Sequence, residues 1–68
     1  LSSPWNRNAW FLWRSRIQYQ WQKLSEEDLT EIDGERERII GRVAERYEMS
    51  TLEVEQELAE WERRHLLR

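Results

Sequence analysis

Residues 24–54, "LSEEDLTEIDGERERIIGRVAERYEMSTLEV", decide the fold, because the same punctuation occurs twice within them. In "LSEEDL" Ser25 stands three residues before Asp28, and in "MSTLEV" Ser50 stands three before Glu53. Each is the pattern of a capping box, in which a serine hydroxyl and an acidic side chain satisfy the free amides at a helix start. Leu24 before the first box and Met49 before the second are placed to staple onto Leu29 and Val54. Between the boxes, Asp33-Gly34 reads as a helix end. Residues 35–47 then put Ile39, Ile40, Val43 and Tyr47 on one side and leave Arg36, Arg38, Arg42, Glu45 and Arg46 for water. The stretch therefore contains a short helix, a turn, a second helix and the start of a third.

Working outward, the last helix runs to about His65 with Val54, Leu58 and Trp61 as its apolar stripe. Upstream, Ser3-Pro4 fits a helix start, with Ser3 as N-cap and Pro4 at the first helical position, and predicts a first helix extending to about Gln22. Connections of a few residues fold neighbouring helices back on each other. The fold predicted is all-α: residues 1–68 form a single domain, a small four-helix bundle of two packed helical hairpins.

Composition narrows the function classes. The chain has 68 residues and no cysteine, which excludes disulfides, thiolate metal sites and a cysteine nucleophile. No apolar run approaches the length of a membrane span, and no basic, apolar and small-residue leader pattern is present, so a soluble cytoplasmic protein is expected. The net charge of -3 hides a division: residues 1–24 carry Arg7, Arg14, Arg16 and Lys23 with no acid, and residues 25–68 carry seven Lys/Arg against fourteen Asp/Glu.

The first helix has more apolar surface than a small core can cover. At 100° per residue Trp10, Trp13, Ile17, Trp21 and Leu24 share one arc and form the core face. Trp5, Leu12 and Tyr19, seven residues apart, fall on nearly the opposite side with Phe11 beside them. Either an N-terminal extension or Leu66 and Leu67 fold over this second stripe, or Trp5 frays in solvent, or the stripe is an interaction surface; Trp, Tyr and Arg are the residues that dominate binding energy. The candidate partner-binding residues are Trp5, Phe11, Leu12, Arg16 and Tyr19, and the expected partner is a protein or a second copy of the chain.

Residues 21–64, "WQKLSEEDLTEIDGERERIIGRVAERYEMSTLEVEQELAEWERR", resemble the CsbD-like family of small bacterial general stress-response proteins. Trp21, Lys23, Leu24, Asp28, Leu29, Ile32, Gly34, Ile40, Gly41, Arg46, Tyr47 and Trp61 match that pattern, and Trp10, Trp13 and Ile17 match its apolar positions, so the resemblance covers about residues 10–62. It implies two packed helical hairpins, expression under stress and a bacterial cytoplasmic protein, and it supplies no catalytic residue. The family's glycines in helix 1, after the tryptophan and after the tyrosine are Ser15, Gln22 and Glu48 here. Phe11, Leu12 and Tyr19 replace the family's lysine-rich face.

Catalysis has little support in the residues. His65 is the only histidine and stands where it complements a helix C-terminus. The carboxylates lie mostly on helix faces beside arginines, as in Glu31 with Glu35 and Arg38. A helix-hairpin-helix reading of "EIDGER" fails because Asp33, Glu35 and Glu37 repel phosphate. A non-enzymatic protein with no cofactor and no metal is expected. The alternative is a nucleic-acid-binding accessory protein that uses the basic aromatic face of helix 1, where Arg7, Arg14, Arg16 and Lys23 interleave with rings able to stack on bases.

Overall fold

The computed structural model describes residues 5–66. Four helices follow in order: α1 (Arg7–Gln20), α2 (Glu26–Ile32), α3 (Arg36–Tyr47) and α4 (Thr51–His65). The all-α four-helix bundle is the one predicted. Both capping boxes form, Ser25 with Asp28 and Ser50 with Glu53, and the stapling partners Leu24, Leu29 and Val54 are buried.

The start of α1 differs from the expectation. Ser3 and Pro4 lie outside the described residues, and the helix begins at Arg7, where the Asn6 side chain accepts from the Ala9 amide at 2.9 Å. Asn6 itself is extended, with φ -153° and ψ 165°. The 100° periodicity therefore stops at Arg7, and Trp5 is not on the wheel that carries Leu12 and Tyr19.

The core comprises Trp10, Ile17, Trp21, Leu24, Leu29, Ile32, Ile39, Val43, Val54, Leu58 and Trp61. Trp13, Ile40 and Tyr47, expected in its centre, pack at its edge. α3 lies closest to α2 and α4, and α1 reaches its neighbours through side chains. The Trp10 indole donates to the Leu29 carbonyl at 2.9 Å, Arg14 pairs with Glu26 at 3.0 Å, and Arg7 pairs with Asp33 at 2.9 Å. Trp61 is the hub of the aromatic packing, with the rings of Trp5, Trp13 and Trp21 at 5.9, 6.4 and 6.4 Å.

Two helix ends use left-handed backbone, at Asp33 (φ 49°) and Glu48 (φ 54°). Glu48 thus occupies the position after the tyrosine where the CsbD-like pattern has glycine, and it adopts the conformation that favours glycine there. The two glycines of the chain are under opposite constraints. Gly34 has φ +85°, and a Cβ on it would meet the Asn6 carbonyl oxygen at 2.5 Å, whereas a Cβ on Gly41, inside α3, meets nothing within 4 Å. Gly34→Ala should therefore destabilise by about 1–2 kcal/mol through left-handed strain and displacement of the α1 cap. Gly41→Ala should stabilise by about 0.5–1 kcal/mol by helix propensity alone. Urea melts of the two variants beside the wild type check both signs.

Candidate functional site

α1 presents a core side and an open side. Trp10 and Ile17 are buried on the first, and Trp13 packs edge-on against Trp61 at the margin. On the second, Phe11, Leu12 and Tyr19 are 70%, 57% and 79% exposed. This combination follows from composition: residues 7–20 include enough apolar side chains for two faces, and the other three helices supply partners for only one.

Arg16 sits at the edge of this open face with its guanidinium 5.3 Å from the centre of the Trp13 ring. Among the described residues it has no carboxylate partner, unlike Arg7 and Arg14. Beside it, Ser15, Arg16, Tyr19, Gln20, Trp61 and His65 line a shallow groove. His65 is stacked on Trp61 with ring centres 4.6 Å apart and planes inclined by 25°.

Trp5, named with this face from the sequence, is elsewhere. The extended backbone at Asn6 turns it back onto the bundle, where its ring lies 6.5 Å from Trp10 and 5.9 Å from Trp61. Its Nε1–H donates to Glu62 Oε2 at 2.5 Å. Packing against two indoles removes more apolar area from water than a place beside Leu12 would. The structure thus brings together Phe11, Leu12, Arg16 and Tyr19 and leaves Trp5 with the core. Leu66 also packs against the core rather than over the open face, and Leu67 lies outside the described residues.

Two ion-pair clusters complete the electrostatics. Asp28 is 1% exposed and receives Arg46 Nε and Nη2 at 2.9 Å each, together with the Ser25 amide at 3.0 Å. The Arg46 hydrogen bonds, opposed by burial and helped by Ser25, hold its carboxyl well below the usual carboxylate range. Glu62 receives Arg36 at 2.9 and 3.1 Å and the Trp5 indole. Burial alone would push the Glu62 carboxyl up, but the bonds from Arg36 and Trp5 and the charge of Arg36 together hold it down. The expected grouping of Glu31 with Glu35 and Arg38 is redistributed: the Glu31 carboxylate pairs with Arg42, and Arg38 lies 3.5 Å from Glu35 and donates to the Glu31 carbonyl at 2.8 Å.

One exposed apolar residue escaped the sequence reading. Leu52, on the first turn of α4, is 63% exposed, on the side of that helix turned away from Val54, Leu58 and Trp61. Its signal was present: two residues before Val54 it is rotated by roughly 160° from the buried stripe. No described helix is long and apolar enough to cross a membrane.

Comparison with known proteins places the chain among bacterial relatives of similar size. The UPF0337 protein YjbJ of Escherichia coli O6:H1 is 36% identical over 56 residues, which cover 82% of this chain and 81% of that protein. The YjbJ protein of Escherichia coli K12 is 34% identical over 56 residues with the same shares. A UPF0337 protein of Pectobacterium atrosepticum is 38% identical over 56 residues, again 82% and 81%. No protein-family model and no solved structure matches the chain. At this level of identity over most of both lengths, the chain belongs to the UPF0337 family.

Proposed function

We propose that this chain is a non-enzymatic stress-response protein of the CsbD-like type, acting in the bacterial cytoplasm by protein–protein contact through the open face of α1. The observation that carries the reading is the exposure of Phe11, Leu12 and Tyr19 on one side of a helix whose other side is already packed. Exposed large apolar side chains on one helix mark interaction sites, and Tyr19 with Arg16 near it has the composition of an energetic centre. Membership in UPF0337, with the matched residues from Trp10 to Trp61, supports the CsbD-like assignment. The state of the ionisable groups supports a non-enzymatic role. The one buried carboxylate among the described residues, Asp28, is held ionised by Arg46 and occupied by a helix cap, which makes it a poor proton carrier at neutral pH. The single histidine is stacked on Trp61.

Nucleic-acid binding by the basic face of α1 has less support, because Arg7 and Arg14 pair with Asp33 and Glu26, and of the four cations in residues 1–24 that leaves Arg16 and Lys23 without carboxylate partners among the described residues. Two cations give a weak phosphate contact.

The double variant Leu12→Lys, Tyr19→Glu tests the proposal. It should keep wild-type helicity by circular dichroism and a wild-type melting temperature, and it should lose the proteins that the immobilised wild-type chain retains from a bacterial lysate. A lowered melting temperature would show that the face is covered within the molecule. Retention of the same proteins by the variant, or steeply salt-dependent capture of an oligonucleotide that the variant also shows, would overturn the reading.

A further inference from the structure

We infer that the open face of α1 seats on the acidic first half of α4 of a second copy, around Leu52, in a head-to-tail contact. The inference rests on the reading of the α1 face as an interaction surface and names its occupant. Four large apolar side chains are exposed among the described residues: Phe11, Leu12 and Tyr19 on α1, and Leu52 on α4. The charges around these two places are opposite. α1 has no acid and carries Arg16, which lacks a carboxylate partner, whereas residues 51–60 of α4 have no base and carry Glu53, Glu57 and Glu60 without an ion pair among the described residues.

The shapes also correspond. Leu12, Ser15, Arg16 and Tyr19 stand at i, i+3, i+4 and i+7, the four corners of a hole that receives one apolar side chain from a facing helix. Ser15 and Arg16 are exposed like the other two, and the small Ser15 side chain leaves the hole open. Leu52 is a single apolar knob beside Glu53, and the Arg16 guanidinium, which has no carboxylate partner in its own chain among the described residues, is the cation that would meet the acids around it; Glu55 lies 3.7 Å from Arg36 of its own chain. A pairing of α1 with α1 would instead bring together two helices that carry arginines and no acid, and like charges across an interface oppose association.

The two surfaces belong to different helices of the bundle, and made once per pair of copies the contact is heterologous. Each copy offers one α1 face and one α4 face, and association continues from copy to copy unless the rotation closes a ring. One helical strip on each side buries less than the roughly 800 Å² per partner of a standard interface, so the contact forms at high protein concentration.

Complementation tests this. In sedimentation equilibrium the wild type should show a weight-average mass that rises with concentration. Leu12→Lys, Tyr19→Glu, which spoils the α1 face, and Leu52→Glu, which spoils the α4 face, should each lower the association constant at least tenfold. Leu52→Glu places an acid in the first turn of α4, where the helix dipole favours it, so folding is preserved, and circular dichroism checks this. An equimolar mixture of the two variants, each with one intact face, should give a 1:1 dimer that does not grow. A mixture that stays monomeric, or a wild type monomeric throughout, overturns the inference. Wild-type association by Leu52→Glu, abolished only by the α1 variant, also overturns it and leaves the α1 face standing as an interaction surface with another occupant.

Discussion

Trp61→Ala should leave little folded protein at room temperature. Trp61 is 1% exposed and has the rings of Trp5, Trp13, Trp21 and His65 around it. Removing a buried indole costs about 3–5 kcal/mol from lost transfer energy and the cavity left behind. A chain of this length holds only roughly 3–10 kcal/mol in total at the usual stability per residue. Collapse of the neighbouring rings into the space is limited because Trp10 is fixed by its bond to Leu29 and Trp5 by its bond to Glu62. Loss of near-ultraviolet dichroism and of a cooperative melt is the expected result. A variant with a sharp transition near the wild-type temperature would show that Trp61 is not the hub of the core.

Asp28→Ala should cost about 3 kcal/mol at neutral pH, at the lower end of the range for breaking a buried pair because Arg46 is 44% open to solvent. The substitution removes the N3 half of the first capping box as well as the ion pair with α3. The pH dependence has a definite sign. The Asp28 carboxyl titrates lower in the folded chain than in the unfolded one, so its contribution is fully present above the unfolded value of about 3.9 and is lost as pH falls toward the folded value. Wild-type melting temperatures should be level from neutrality to about pH 5 and fall below about pH 4. Glu62 acts in the same direction. In Asp28→Ala the fall should be shallower, and parallel acid profiles of the two proteins would show that the pair contributes nothing to acid sensitivity.

The contrast between the two ends of the chain shows what a sequence makes legible. Ser25 with Asp28 and Ser50 with Glu53 were readable because a capping box is a local contract between residues three apart. The stripes of α3 and α4 were readable because burial repeats with the helical period, and Ile39, Val43, Val54, Leu58 and Trp61 are all buried. At the start of α1 two cap candidates compete, Ser3 and Asn6, and local rules do not rank a Ser-Pro start above an Asn start three residues later. The shift removes Trp5 from the wheel and so from the candidate site. The partner of Trp5, Glu62, is 57 residues away, and that of Asp28, Arg46, is 18 away, with no periodicity to announce either. Phe11, Leu12 and Tyr19 were legible as surplus apolar residues because several share one helix, whereas Leu52 is a lone apolar residue among acids opposite the Val54, Leu58 and Trp61 stripe, and a single such residue carries no periodic signal.

The bond from Trp5 to Glu62 sets an order on the assembly of the bundle. Closing a loop of 57 residues costs more entropy than the turns joining α2, α3 and α4, which close over a few residues. Contacts of short sequence separation are expected to form earlier, so α3 with α2 and α4 should constitute the early structure and the Arg36–Glu62 pair should precede the docking of Trp5, an order that refolding rates of Trp5→Ala beside the wild type would check. The carboxylate that receives Trp5 is then already oriented, and the last event of folding becomes the docking of one indole onto a finished surface. By the same reasoning this segment should be the first to leave, which would uncover Trp10 and Trp61 while the rest of the bundle stands.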